Sequence, residues 1–325
     1  STIQEREQRS RSRGQCDSQP QTDSYFSKTL IIRLDNYMRS ILLALMVLFG
    51  AHCEPAKPSQ PKQVPTWAFC GVHPDDPYAA QKVSSLSRNS GFTATFGPCL
   101  RPDMTTYTTA EPGQRYGTPE LYKRLVQLNA SVGMKTIVYD SRLWSLDPNL
   151  VATALAEWEP YFPNIAAWDM GDEFDPTYPD QWNTLVDRWR RMQAINDFSG
   201  IPPFTNHLGW GWVLDIAVAD LQYRGNQIFS FDIYDVPVSL ETARAYNDKV
   251  GTMMCSVNAL KHGSYSPTAA SLKKQMKDHR AAGCDMLLVF GGEMPIDTDG
   301  FVTPSAVTWN GKPTKLASAI YWGSR

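Results

Sequence analysis

The sequence lacks the short signatures that identify several large classes of protein. No G-x-G-x-x-G or G-x-x-x-x-G-K-[ST] segment follows an apolar run, which argues against nucleotide-cofactor folds. The 31 Lys and Arg are scattered among 33 Asp and Glu, so no basic face is expected to bind nucleic acid. Neither a C-x-x-C nor a His-x-His pair occurs. We therefore expect no nucleic-acid partner, no cofactor and no metal.

The residues before the first predicted strand divide into three segments. Residues 1–37 are polar and without periodicity, so we expect a disordered segment or sequence upstream of the translated gene. In residues 38–53 a short apolar run follows Arg39 and ends at Cys53, which is the layout of a signal peptide and is too short for a comfortable membrane span. Soluble secretion and membrane attachment through a lipidated Cys53 both stay open, and either one places the protein outside the cytoplasm. Residues 54–65 form a Pro-rich tether.

Short apolar runs alternate with helical patterns from Trp67 to the end of the chain, which is the sequence form of βαβ units and a parallel sheet. The eight runs are Trp67–His73, Ala94–Pro98, Lys135–Asp140, Ile165–Glu173, Pro203–His207, Ile228–Asp235, Gly251–Asn258 and Met286–Glu293. Eight strand–helix units in a single domain of about 250 residues are typical of a closed (β/α)8 TIM barrel. We therefore predict one monomeric α/β barrel domain over residues 66–325.

One helical pattern lies between the fourth and fifth predicted strands. Trp182, Leu185, Val186 and Trp189 fall on one face, so these side chains are predicted to belong to the core. Asp180 precedes them and is predicted to cap the helix.

Four cysteines follow the leader, and the predicted strands place them in two neighbouring pairs. Cys70 lies beside Cys99, and Cys255 lies beside Cys284. In an oxidising compartment each pair is a candidate disulfide, and buried free thiols are the alternative.

The polar residues that end the predicted strands indicate where chemistry takes place, because the active site of a barrel is built at the carboxyl ends of its strands. The fourth run, Ile165–Glu173, has an apolar half that anchors the strand and two adjacent carboxylates, Asp172 and Glu173, at the mouth. Like charges in a partly dry pocket favour protonation of one of them, and a carboxylic acid held protonated near neutrality can protonate a leaving oxygen. Acid pairs also end strands as helix N-caps, which is the structural alternative for Glu173.

Several segments together resemble the barrel of β-galactosidase-like glycoside hydrolases. They are Trp168–Glu173, Pro202–Asn206, Phe231–Asp235, Ser266–Thr268 with Gln275, and Ala281–Phe290. The resemblance implies a carbohydrate substrate and a glycosidase that cleaves the O-glycosidic bonds of a poly- or oligosaccharide. It implies that Glu173 is the general acid/base, that Asp172 replaces an Asn that touches the sugar, and that Tyr234 orients the second carboxylate.

The second carboxylate departs from the pattern of these relatives. They place a nucleophilic Glu at the end of strand 7, whereas the seventh run here, Gly251–Asn258, has no carboxylate. The candidates are Glu293 after the eighth run and Asp232 or Asp235 on the sixth. We favour Glu293, which becomes the expected nucleophile if the strand count is one too high. A separation of about 5–5.5 Å from Glu173 predicts retention of the anomeric configuration, and about 6.5–9.5 Å predicts inversion.

Further candidate substrate contacts lie on the same side of the barrel. Trp144, Trp210 and Trp212 follow strands 3 and 5 without the period of core residues, so they are interpreted either as sugar-stacking residues or as packing residues. Arg142 either binds an acidic group such as a uronate or pairs with a neighbouring strand-end Asp. Asn206 ends strand 5, and we expect it to contact the substrate.

Two other functions are compatible with the sequence. His73, His207 and several Asp end strands where metal-dependent barrel hydrolases hold zinc. A carbohydrate-binding barrel that has lost its second carboxylate is the non-enzymatic alternative, because a fold does not guarantee a function.

Overall fold

The computed structural model describes residues 63–97, 117–233, 236–257, 268–290, 306 and 310–325. The chain divides between Gln60 and Pro61, and all described residues belong to the second part. The predicted segments 1–37 and 38–53, and the tether up to residue 62, lie outside the described residues. The signal peptide, the tether and the lipidated Cys53 therefore stay predictions.

Eight parallel strands form a closed barrel in which each strand pairs with the next along the chain and β1 pairs with β8. The strands are β1 Thr66–Ala68, β2 Ala94–Thr95, β3 Lys135–Val138, β4 Ile165–Asp172, β5 Pro203–Leu208, β6 Ile228–Asp232, β7 Thr252–Val257 and β8 Met286–Val289. The helices of the described residues are α1 Ala79–Ser90, α2 Pro119–Ala130, α3 Pro148–Trp158, α4 Pro179–Ser199, α5 Gly211–Leu221, α6 Val236–Tyr246, α7 Ala269–Ala281 and α8 Lys315–Gly323. The prediction of a (β/α)8 barrel with eight strands is confirmed.

Large apolar side chains fill the middle of the barrel. Phe96 packs edge-on against Phe204 with ring centroids 5.0 Å apart, and Phe69 lies 4.4 Å from Phe290. Trp67 joins them, with its ring 5.8 Å from that of Phe204. Aromatic pairs at these separations add stabilisation beyond the area they bury. The barrel interior is therefore a packed core, and polar side chains are confined to the layer above it at the carboxyl ends of the strands.

Helix α4 covers β4 and β5 with the predicted face. Trp182, Leu185 and Trp189 are buried, as the helical spacing predicts. The prediction that Asp180 caps this helix is wrong, because the helix begins at Pro179 and Tyr178 occupies the N-cap position. Proline is favoured at the first helical position, and Asp180 lies in the first turn, where its charge interacts favourably with the helix dipole.

The predicted pairing of Cys255 with Cys284 is confirmed. Cys255 lies in β7 and Cys284 lies two residues before β8, with a Cα–Cα distance of 5.9 Å. Cys70 is also disulfide-bonded, and its predicted partner Cys99 lies outside the described residues. Two strands that are already neighbours in the barrel are thus joined covalently.

The helices of the described ranges are too short or too polar to cross a membrane.

Removal of the Cys255–Cys284 disulfide is expected to lower the free energy of unfolding by about 3–4 kcal/mol, because the bond closes a loop of 29 residues in the unfolded chain. We would compare the urea midpoints of the wild type and of the Cys255→Ala/Cys284→Ala double variant. Reductant also breaks the disulfide of Cys70, so the wild type and the variant should have similar midpoints when both are reduced. Equal midpoints under oxidising conditions would contradict a stabilising role for this disulfide.

Candidate active site

Strand β4 carries a bulge at its carboxyl end. Its register against β5 shifts between Asp169, which pairs with Phe204, and Asp172, which pairs with Asn206. One residue of β4 is therefore extra, which is the definition of a β-bulge, and bulges are over-represented beside active sites. The bulge lies in the segment in which the sequence predicts the catalytic acid.

Hydrogen bonds from two strands fix this bulge. Within β4, Oδ1 of Asp169 accepts a hydrogen bond of 3.0 Å from the Gly171 N–H. From β5, the hydroxyl of Thr205 donates to the Gly171 carbonyl at 3.2 Å, and the Asn206 carbonyl accepts from the Glu173 N–H at 2.8 Å. Because both flanks of the bulge are bonded, the backbone that carries Glu173 has a defined direction.

The backbone of the bulge lies in the left-handed region at two positions. Gly171 has φ +122°, and a Cβ there would lie 2.6 Å from the ring of Phe174, so glycine is required. Glu173 has φ +52°, a conformation that costs a residue other than glycine about 1–3 kcal/mol. Among the described residues the only other such case is Gln222, which ends α5 in an ordinary left-handed cap. Glu173 is thus held in a strained conformation.

The side chain of Glu173 is exposed to solvent at the carboxyl end of the barrel. The N-cap position of α4 is five residues further on, at Tyr178, so Glu173 is not the cap of that helix. Strain at a residue with an exposed carboxylate is typical of functional sites, where the surrounding structure maintains an unfavourable backbone conformation. The geometry favours the functional interpretation of Glu173 over the capping alternative.

A polar layer lies between the aromatic interior and the mouth. Alternation in β5 and β6 places Asn206, Ser230 and Asp232 on the face that also carries the interior residues Phe204 and Ile228. Asn206 and Ser230 are buried, and the Ser230 hydroxyl donates to Oδ1 of Asn206 at 2.8 Å. This bond fixes the orientation of the amide, while Asp232 at the strand end is partly exposed.

Tyr139 and Asp169 extend this polar layer onto β3 and β4. Burial raises the pKa of the Tyr139 hydroxyl; the positive charge of Arg188 opposes this shift, and the negative charge of Asp169 adds to it. Asp169 itself is buried at 1% exposure, which limits its contact with solvent. The Tyr139 hydroxyl therefore stays protonated at neutral pH.

The three tryptophans that follow β3 and β5 have different environments. Trp210 and Trp212 are exposed, and their rings stack with centroids 6.0 Å apart and planes inclined by 25°. Trp144 is buried, packs edge-on against Tyr139, and has the Arg188 guanidinium 5.5 Å from its ring centroid. The structure therefore places Trp144 in the core, whereas Trp210 and Trp212 present aromatic surface at the mouth.

Gly209 fixes the start of the loop that carries Trp210. Its N–H donates to the Asp232 carbonyl at 3.1 Å. A Cβ at this position would lie 1.9 Å from the side chain of Ile233 and 2.4 Å from the Asp232 carbonyl oxygen. Only glycine allows so close an approach to the end of β6, so the loop after β5 is held against the next strand.

Arg142 takes part in an ionic network. Its guanidinium bonds both carboxylate oxygens of Asp140 and also bonds Glu157, with contacts between 2.7 and 3.1 Å. Lys123 bonds Glu157 as well, and the Trp158 indole donates to Asp140 at 2.8 Å. Of the two interpretations of Arg142, the structure supports the pairing with a neighbouring strand-end Asp.

His207 lies outside the barrel interior. It alternates with Asn206 along β5 and packs in the layer between strands and helices, where its Nε2 is 2.6 Å from the Tyr223 hydroxyl. Burial lowers the pKa of His207 to about 3, and its Nδ1 has no hydrogen-bond partner among the described residues. Within the described ranges no group of three or more His, Cys, Asp or Glu is arranged to hold a metal ion. His207, one of the two histidines that suggested a zinc site, is therefore not directed at the mouth. The other, His73, follows β1, and its Nδ1 accepts a hydrogen bond of 3.1 Å from the Asp75 N–H.

Several predicted site residues cannot be placed. The structure does not describe Glu293, Tyr234, Asp235 or the side chain of Asp172, so the roles of these residues stay predictions. The strand count is eight, so Glu293 follows β8, and the alternative that it follows the seventh strand is wrong. Strand β7 is Thr252–Val257 and carries no carboxylate.

Comparison with known proteins gives a likeness of fold. No protein-family model and no curated protein matches the chain. The catalytic core of xylanase A aligns with a TM-score of 0.52 and 10% identity, over 81% of this chain and 98% of that one. A cold-adapted β-galactosidase from Rahnella sp. R3 aligns with a TM-score of 0.53 and 10% identity, over 82% of this chain and 56% of that one. This chain thus spans little more than half of the β-galactosidase. Both structures share its barrel fold.

Sequence reasoning missed two parts of the site. It assigned no role to Asp169. The side chain of an Asp commonly accepts a hydrogen bond from the backbone N–H two residues further on, and here that residue is Gly171. Sequence reasoning also missed Ser230, although the alternation Ile228-Phe-Ser-Phe-Asp232 places that residue on the face of Asp232. Both signals are short and common, so neither one indicates a site without the strand pairing.

Replacement of Glu173 by glycine is expected to raise the free energy of unfolding by about 1 kcal/mol, because glycine adopts the left-handed conformation without strain. Glu173→Gln keeps a Cβ and should leave stability unchanged, so it is the matched control. Urea denaturation of both variants measures the difference. A Glu173→Gly variant that is less stable than Glu173→Gln would show that the backbone is not strained.

Stability should depend on pH through His207. The unfolded chain binds a proton near the ordinary value of 6.5 and the native chain only near 3, so the unfolded state holds more protons between these values. The free energy of unfolding should therefore fall as the pH decreases below about 6.5, by up to about 1.4 kcal/mol per pH unit for this group. His207→Gln, which does not titrate, should give a shallower slope between pH 6.5 and 5 in urea denaturation. Parallel curves for the variant and the wild type would exclude this contribution.

Proposed function

We propose that the protein is a glycoside hydrolase that cleaves O-glycosidic bonds of a carbohydrate, with Glu173 as the general acid. The observation that carries the proposal is the strained, exposed Glu173 on the β4 bulge at the carboxyl end of a (β/α)8 barrel. Catalytic residues of such barrels come from the ends of strands. The resemblance of the strand-end segments to glycoside hydrolases supports the same role.

The neighbours of Glu173 suit sugar chemistry. Asn206 lies on the adjacent strand with its amide oriented by Ser230, and it is proposed to bind a sugar hydroxyl. The exposed rings of Trp210 and Trp212 follow the same strand and provide flat apolar faces on which a pyranose ring stacks. Tyr139 supplies a protonated hydroxyl from the other side of β4. A carboxylate flanked by an oriented amide and open aromatic rings is the arrangement that a glycosidase needs.

The second carboxylate is proposed to be Glu293, with Asp232 as the alternative. Asp232 ends β6, two strands from Glu173, and faces the barrel interior. The main-chain carbonyl of Asp232 also accepts a hydrogen bond from the Gly209 N–H, which gives this residue a structural role. Because β7 carries no carboxylate, a nucleophile on that strand is not part of the proposal.

A non-catalytic carbohydrate-binding barrel is the second candidate. The absence of a carboxylate from β7 favours it, because a barrel without its second carboxylate retains the fold and the aromatic surface but not the reaction.

We further propose that the protein acts outside the cytoplasm. The disulfide between Cys255 and Cys284 supports an oxidising compartment, where such bonds form and persist.

Replacement of Glu173 by Gln should lower the rate of glycan hydrolysis by about 100- to 10,000-fold, the usual contribution of general acid catalysis. We would measure the release of reducing ends from plant, bacterial-envelope and animal glycans. Glu159→Gln, at an exposed carboxylate beyond the carboxyl end of α3, is the matched control and should keep full activity. Glu293→Gln should lose activity comparably, whereas Asp232→Asn should retain most of it.

The opposite result for the last two variants would assign the second carboxylate to β6. Sugar binding without any hydrolysis by the wild type would replace the proposed enzyme with the binding barrel. The anomer released first, followed by NMR, would identify retention or inversion.

A further inference from the structure

Exposed large apolar side chains are concentrated at the mouth of the barrel. Eight are found among the described residues, and six of them follow the carboxyl ends of strands. We call these six the apolar rim; they are Leu146, Leu150, Tyr178, Trp210, Trp212 and Val238. The other two, Phe198 and Trp322, lie at the carboxyl ends of α4 and α8, on the opposite face of the barrel.

The apolar rim follows four successive strands. Its members lie after β3, β4, β5 and β6, which are neighbours in the barrel, so they are arranged along one arc of the mouth. Strands are spaced by about 4.8 Å, so the arc covers at least about 14 Å at the barrel wall. It covers more at the radius of the helices, where most of these residues lie. A surface of this extent suits an extended ligand that passes over several strand ends.

Exposed aromatic rings form the part of the arc that follows β4 and β5. Tyr178 is 59% exposed, and Trp210 is 54% exposed. Trp212 stacks on Trp210, so the two rings support each other and present a stable flat surface. Rings fixed in this way bind the C–H faces of sugars with little loss of conformational entropy.

The charge of the rim loops selects against acidic ligands. In segments 139–147, 173–178, 209–212 and 233–238 the only Lys or Arg is Arg142, which pairs with Asp140 and Glu157. Besides Asp140, the described residues of these segments contain three further carboxylates, at Asp147, Glu173 and Asp175. A polymer of uronates or sulfated sugars would be repelled by this surface, whereas an uncharged polymer would not be.

The spacing of apolar and acidic residues argues against a protein partner. Asp147 separates Leu146 from Leu150, and Asp175 precedes Tyr178. The centre of a protein interface is contiguous and depleted in charge, whereas here Leu146, Leu150 and Tyr178 each have a carboxylate within three residues in the chain. Separate ring faces interspersed with hydrogen-bond acceptors suit a chain of sugars, in which C–H faces alternate with hydroxyl groups.

We propose that the substrate is an uncharged, extended polysaccharide whose chain lies along the apolar rim, with Tyr178 and the Trp210–Trp212 pair holding sugar rings beside the cleavage point. This inference rests on the proposed glycosidase function. It predicts that the polysaccharide is cleaved at internal bonds, because an arc that passes several strand ends does not close around one end of a polymer.

The test uses the full chain with Glu173→Gln, so that binding is measured without hydrolysis. Affinity gel electrophoresis would use soluble β-glucan, galactomannan and galactan as uncharged polymers and polygalacturonate as the acidic one. Tyr178→Ala and Trp210→Ala should each weaken binding to the retained polymer by about 10-fold, as expected for loss of one stacking ring. Phe198→Ala and Trp322→Ala are matched controls, because these aromatic residues are as exposed but lie on the opposite face. They should have no effect.

The results separate the inference from the proposed function. The protein could be retained by an uncharged polymer through Tyr178 and Trp210 while the wild type hydrolyses no glycan. That result would support binding at the apolar rim and overturn the proposed glycosidase function. The two rim variants could instead hydrolyse both the polymer and short aryl glycosides as fast as the wild type. That result would support the proposed glycosidase function and overturn the proposal that the apolar rim binds the polysaccharide. Stronger retention by polygalacturonate, or retention by no polymer, would also overturn the inference.

Discussion

The geometry of the candidate site depends on one extra residue in β4. Between Asp169 and Asp172 the strand bulges against β5, and the chain then turns so that the Glu173 side chain reaches solvent. The bulge is stabilised from within by the Asp169 carboxylate on the Gly171 N–H, and from the neighbouring strand by the Asn206 carbonyl on the Glu173 N–H. A conformation that is locally unfavourable is maintained because the closed barrel keeps β5 in place.

The same alternation of side chains produces both the core of the barrel and its polar layer. In β5 and β6, Phe204 and Ile228 close the interior, while Asn206, Ser230 and Asp232 lie above them on the same face. The packed aromatic interior excludes water from below, which strengthens the hydrogen bond between Ser230 and Asn206. The functional groups at the mouth are therefore supported by rigid strands, and the loops add the aromatic rings.

The charge of the rim segments and their exposed aromatic rings both favour the uncharged ligand proposed above. Arg142 is the only Lys or Arg in the rim segments after β3 to β6, and it pairs with Asp140 and Glu157, which leaves an excess of carboxylates in the described part of these segments. The same excess disfavours acidic polymers, and the exposed rings of Tyr178 and Trp210 supply attraction that does not depend on charge.

The sequence by itself determined the eight strand–helix units, the buried face of α4 and the position of Cys255 beside Cys284, because hydrophobic period and strand order express these features locally. The structure decided that these two cysteines form a disulfide and are not free thiols. The sequence could not separate Trp144 from Trp210, since both follow strand ends without a core period. Only the tertiary structure decided that Tyr139 and Arg188 enclose the first ring while the second stays exposed. Whether a loop side chain is buried depends on residues that are distant in the chain, and folding brings these into contact only when the barrel closes.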